Sequence, residues 1–176
     1  MKDSIAPLIS PADDKILNEK NIKAILENPK CINDPTYGLS LVQHIIETRH
    51  DQFTSANVNT YEAIDGKITT KETTTNKEKQ LFTLSRFVKA NLSCISHKIT
   101  INEIIIEPEK ELAKIEYQEN IIIAYDTKTG RRQSDVQNTC RAIISKGETT
   151  PLIFQQKCSG TAKEKAIKKP DTKTEL

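Results

Sequence analysis

The sequence predicts an α+β domain in which helices pack on a curved antiparallel sheet of four to six strands. Three observations predict it. Residues 111–126 alternate, with Ala113, Ile115, Tyr117, Ile121, Ile123 and Tyr125 on odd positions and charged or polar residues on the even positions of the first half, which is the period of a strand. Before residue 96, apolar residues recur at three and four instead, the period of helices. After residue 97, strand-like runs are separated by short turns, as in a meander. A strand rises about 3.3 Å per residue, so the long central one must bend or bulge to stay within a compact domain.

In chain order, residues 1–9 read as a flexible arm. Ser10, Pro11 and Asp13 open a first helix by capping, by a preset φ and by favourable charge at the positive end of the helix dipole. Its stripe is Ile16, Leu17, Ile22, Ile25 and Leu26, with a break near Asn18–Asn21 and an end at Asn28-Pro29. Asp34-Pro35 repeats the signal, and Tyr37, Leu41, His44, Ile45 and Thr48 line one side of a second helix that fades around His50–Phe53. Asp65-Gly66, between Tyr61–Ile64 and Lys67–Thr70, predicts a polar edge hairpin with a type I′ turn. Thr74 or Thr75 then caps a third helix, Asn76–Ile95, carrying Leu81, Leu84, Val88 and Leu92. Strands follow to residue 159, and the Lys-rich residues 161–176 read as a disordered basic tail. The chain is thus an arm (1–9), one domain (10–160) and a tail (161–176).

The turns set a register. With Thr127–Gly130 as a loop, Asp126 pairs with Arg131, Tyr117 faces Cys140, Ile115 faces Ala142 and Ala113 faces Ile144, so apolar meets apolar. With Glu148–Thr150 as the next loop, Ile144 faces Phe154 and Cys140 faces Cys158. That cysteine pair reads as a cross-strand disulfide or redox pair, or as two buried thiols. Cys31 and Cys94 could also meet if the first and third helices lie together, which the sequence does not fix.

The same register puts Glu119 opposite Asn138 on the apolar face, where an unpartnered carboxylate costs several kcal/mol. Either the face opens into a wet pocket there, or a bulge at Gln118–Asn120 turns Glu119 outward; the bulge is preferred, because such residues are common at bends of long strands. In a pocket, Glu119 is a general-base candidate, with His44 across from it and Tyr117 beside it.

Other patterns carry less. His44 and His50 are six apart, which does not place them on one helical face, and the cysteines lack Cys-x-x-Cys spacing, so no metal is expected. Asn91-Leu92-Ser93 fits a glycosylation sequon but falls inside the expected third helix. A net charge of +2 with dispersed lysines argues against nucleic acid, and scarce glycine with no phosphate-loop pattern argues against a nucleotide cofactor. No apolar run has the length of a membrane span. The first residues lack the apolar core of a signal peptide, so the default location is cytoplasmic, or exported if a leader has been removed.

The order helix, helix, Asp-Gly hairpin, helix and long-stranded meander over residues 11–160 resembles the nuclear transport factor 2-like superfamily. That resemblance implies a cystatin-like cone, a curved sheet wrapped around helices, whose concave face would bring Tyr117, Glu119, Asn138 and Cys140 together. Members include ketosteroid isomerase-like and SnoaL-like enzymes, non-catalytic binding domains and exported components. The expectations it raises are a non-catalytic binding or interaction domain, a homodimer through the sheet, and a protein partner or small apolar ligand. An isomerase or hydratase using Glu119, or an exported disulfide-containing domain, are the alternatives. Because the sequence offers no Asp–His or Tyr–Asp catalytic set, catalysis is the weaker reading.

Overall fold

The computed structural model of the chain describes residues 14–27 and 29–167. The expected helix start at Ser10–Asp13 and the helix stop at Asn28 lie outside the described residues, as does the tail from residue 168. Three helices, α1 (Glu19–Leu26), α2 (Thr36–Thr48) and α3 (Lys77–Lys89), accompany six strands. The strands are β1 (Arg49–Glu62), β2 (Ile68–Asn76), β3 (Ser93–Glu107), β4 (Leu112–Thr127), β5 (Gly130–Lys146) and β6 (Pro151–Ala166).

The sheet order is β2-β1-β6-β5-β4-β3. The meander β3–β6 and the hairpin β1–β2 are antiparallel, but β1 runs parallel to β6. The sheet is therefore mixed, not purely antiparallel. The cause lies in β1: what reads as the fading end of a helix is a strand of 14 residues beginning at Arg49, directly after α2. It pairs with β2 in the antiparallel hairpin on one edge and runs alongside β6 in the same direction on the other. β2 is a sheet edge, as its threonine-rich sequence predicts.

The helix boundaries follow local chemistry. Asn18, read as a break, is the cap of α1, its Oδ1 accepting from Asn21 N–H at 2.9 Å. Asn76, not Thr74 or Thr75, caps α3 through Lys79 N–H at 2.8 Å. That helix stops at Lys89, because Asn91 takes a left-handed φ of 58° and turns the chain into β3. The Asp65-Gly66 turn also differs from type I′: only Gly66 has positive φ, Gly66 N–H donates to Ala63 and Ala63 N–H to Lys67, closing a three-residue loop.

β4 and β5 pair without a break from Leu112–Ser145 to Thr127–Gly130, in the register expected from the apolar pattern. The strain of long strands is taken up elsewhere, by extra residues at Ile95 and Asn102 in β3 and at Phe154 in β6. The last of these moves Ile144 opposite Ile153 in place of Phe154, while Cys140 still faces Cys158. Ile153 is accordingly buried and Phe154 is 36% exposed. β6 continues to Ala166, so residues 161–166 are paired strand and not tail. What orders these polar residues is the ladder: β5 on one side and β1 on the other satisfy their backbone groups.

Two cores hold the concave side. Leu17, Ile22, Ile25 and Leu26 pack against Phe53, Ala113, Ile115, Tyr117, Cys140, Ala142, Ile144 and Ile153. Tyr37, Ile45, Leu84, Leu92 and Cys94 form the second, with Ile121 and Ile123 against it. Two cysteine pairs, Cys31–Cys94 and Cys140–Cys158, lie at disulfide distance. Cys31 reaches Cys94 in β3, beside the Cys94 N–H to Ile32 carbonyl bond, and not through contact of two helices.

Candidate functional site

Between the helices and the concave sheet lies a cavity of about 230 Å³. Tyr117 and Glu119 of β4, Asn138 of β5 and Cys158 and Gln156 of β6 line it from the sheet, Arg49, Ser55 and Asn57 from β1, Thr75 from β2 and Gln80 from α3. Tyr117, Glu119 and Asn138 are thus brought together as expected. Cys140 is buried behind them, paired with the lining Cys158.

Glu119 stays in the ladder opposite Asn138, with no bulge at Gln118–Asn120. It lines the cavity and does not turn outward. Its partner is His97, whose Nε2 is 2.9 Å from Glu119 Oε2. His97 reaches it because of the extra residue at Ile95. Side chains alternate along β3, so Cys94 on the concave face would leave His97 on the convex one. The bulge shifts the alternation by one and returns His97, Ile99 and Ile101 to the concave side; that at Asn102 shifts it again for Ile104 and Ile106.

His44 does not meet Glu119. It bonds to the Ile25 backbone, its Nε2 is buried without a hydrogen bond, and burial, then the nearby Arg49 charge, push its pKa down. His50 heads β1, its ring edge-on to Phe154 at 5.0 Å, and does not share a site with His44. Tyr117 accepts a hydrogen bond from Gln156 Nε2. Burial, then the Glu119 charge, push its phenol up to about 12.

Three buried polar atoms of lining residues have no hydrogen-bond partner among the described residues: Arg49 Nε, Gln80 Oε1 and Asn138 Oδ1. Arg49 Nη1 donates to Thr48 Oγ1 at 2.8 Å and its guanidinium lies 5.5 Å from the Phe53 ring centre. Burial pushes its pKa down, opposed by Tyr117 and Glu119 nearby. Gly160, next to Asn138 across the ladder, is required by space: a Cβ there would collide with the Gln137 carbonyl oxygen and the Asn138 side chain.

Sequence reasoning missed Arg49, Gln80, His97 and Gln156. Arg49 sat in a supposed helix end, and His97 needs the bulge parity. For Gln80 and Gln156, no periodicity separates a pocket amide from a surface one. A larger groove of about 990 Å³, between α1 and β3, is open and holds no comparable set of converging buried groups. Asn91 of the sequon is exposed in the turn after α3, not within the helix.

An α+β cone with a polar pocket on the concave face of its sheet is the class that fold and site define. Comparison with solved structures gives that class a name. The chain is similar to a conserved protein from Planctomyces limnophilus, with 11% identity over 82% of this chain and 96% of that one and a TM-score of 0.59. It is also similar to a nuclear transport factor 2-like protein of unknown function from Prochlorococcus, with 12% identity over 81% and 91% and a TM-score of 0.53. The chain has the nuclear transport factor 2-like fold. No family model and no curated protein matches its sequence.

Proposed function

We propose that this chain is a non-catalytic binding domain of nuclear transport factor 2-like type, whose cone closes around a small polar molecule. The observation that supports it most is that Arg49, Gln80 and Asn138, which line one cavity, each carry a buried polar atom with no partner among the described residues. Buried polar groups are normally paired, and leaving one unmade costs about 1–3 kcal/mol, which a ligand would recover. The polar lining shifts the expectation from an apolar ligand to a polar one.

The enzyme reading keeps one specific support, the inward Glu119 with His97 against it. Against it, Glu119 spends an oxygen on His97, and the Tyr117 phenol is engaged by Gln156. Native mass spectrometry of gently purified protein separates the two. A retained small molecule recovered unchanged after long incubation supports binding. Turnover abolished by Glu119→Gln would replace it with catalysis, and a cavity that retains and binds nothing removes both.

The two cysteine pairs at disulfide distance favour an exported setting, since such bonds persist in oxidising compartments. No helix among the described residues is long and apolar enough to cross a membrane. Pairing of two copies through the sheet's outer face belongs to the same proposal, and a monomer by sizing at high concentration removes it.

A further inference from the structure

We infer that the cone binds a small carboxylic acid, its carboxylate held by Arg49 and its hydroxyl or amide hydrogens by Gln80 and Asn138. This rests on the reading of the cavity as a ligand site and adds the chemical class.

Arg49 carries the argument. A guanidinium cannot be neutralised at ordinary pH, so the half-buried Arg49 gains from an anion or a fuller set of acceptors. Here it has Thr48 Oγ1 and the face of Phe53, while Nε is shielded from solvent and bonds to nothing among the described residues. No described carboxylate lies within the 4.0 Å of an ion pair. Glu119, the one acid lining the cavity, influences Arg49 through space but is in contact with His97. The site therefore holds a fixed positive charge with an unused donor, and a planar carboxylate is the group whose geometry a guanidinium matches best.

The other unused atoms narrow the choice. Gln80 and Asn138 line the same cavity and their amide oxygens are buried without partners among the described residues, so a ligand with donors as well as a carboxylate would satisfy them. A volume of about 230 Å³ lies below the roughly 300–1,000 Å³ of pockets for drug-sized molecules. A small hydroxy acid fits this description; a dicarboxylate without a hydroxyl, which has no donor, and a sterol-sized apolar ligand do not.

The test is calorimetric titration and thermal shift of the full chain with glycolate, lactate and L-malate, beside glycolamide, lactamide and malamide and the apolar probe cyclohexanol. At least one acid is expected to bind and to raise the melting temperature, with its amide at least tenfold weaker. Arg49→Gln should weaken that acid at least tenfold. Glu119→Gln, which keeps Arg49 in place and removes a like charge facing the ligand, should tighten it about threefold, so the inference stays testable if Arg49→Gln does not fold. Amides or cyclohexanol binding as well as the acids, or an acid weakened by Glu119→Gln, overturns the carboxylate assignment while the pocket reading stands. No binding by any probe overturns both.

Discussion

Tyr117 shows at the scale of one residue how environment rewrites chemistry. Its ring belongs to the apolar core, yet its hydroxyl lies at the cavity wall against Gln156, beside the Glu119 charge. Ionising it would place a second anion in a space already holding one. The phenol at about 12 lies above the reference value of 10.0, so the folded state retains this proton where the unfolded chain releases it. Between these two pH values the folded state binds more protons, and stability falls as pH rises. The contribution is complete below pH 10 and is lost towards pH 12. Tyr125, half-buried and bonded to Glu164, is likewise pushed up to about 12, so ultraviolet titration should show ionisation near pH 12 whose amplitude falls without vanishing in Tyr117→Phe, and alkaline unfolding of that variant should lose part of its steepness. An ionisation near pH 10 assigned to Tyr117 would contradict the burial described.

At the scale of elements, the bulges decide which residues share the cone. Without an extra residue at Ile95, the Cys94 sulfur and the His97 ring would lie on opposite faces of β3, and one of the Cys31–Cys94 and His97–Glu119 contacts would be lost. Ile95 itself is 39% exposed, so its side chain contributes little to the core. Ile95→Ala is accordingly expected to cost less than about 1 kcal/mol, as for other surface positions. Deleting Ile95, which removes the residue but not much packing, is expected to cost several times as much and to break the His97 contact. Denaturant unfolding of the two variants checks this; equal midpoints would show that the bulge does not organise the strand.

For the whole molecule, the cysteine pairs tie distant parts of the chain. Cys31–Cys94 spans 63 residues and anchors the segment between α1 and α2 to β3, while Cys140–Cys158 spans 18 within the meander. Loop-closure entropy makes the longer bridge worth about 4 kcal/mol and the shorter about 3 kcal/mol when oxidised. Replacing Cys31 and Cys94 together by alanine should thus lower stability more than replacing Cys140 and Cys158. Thiol counting on the denatured, unreduced protein should find none. Four free thiols would remove both the bridges and the exported setting argued from them.

Much of this architecture was legible in the residues themselves. The alternation of β4 and β5 allowed one pairing in which Ile115 met Ala142 and Tyr117 met Cys140, so a one-residue slip would have exposed an entire apolar face. The same register set Glu119 opposite Asn138 and Cys140 opposite Cys158, while the grouping of Tyr117, Glu119, Asn138 and Cys140 at a pocket came from the family resemblance. The register did not show whether Glu119 faced inward, because an alternation read from sequence cannot reveal whether its own strand bulges at Gln118–Asn120, nor that an extra residue in β3 turns His97 toward it.

The chain's local chemistry by itself determined the helices, the hairpin edge and the β4–β5–β6 ladder around Cys140 and Cys158, since these depend on residue spacing and turn geometry over short stretches. Tertiary structure alone decided the parallel meeting of β1 with β6, the turn of His97 toward Glu119 and the place of Arg49 at the cavity wall. Each of those depends on which distant segment occupies the adjacent space, and neither hydrophobic period nor turn preference carries that information.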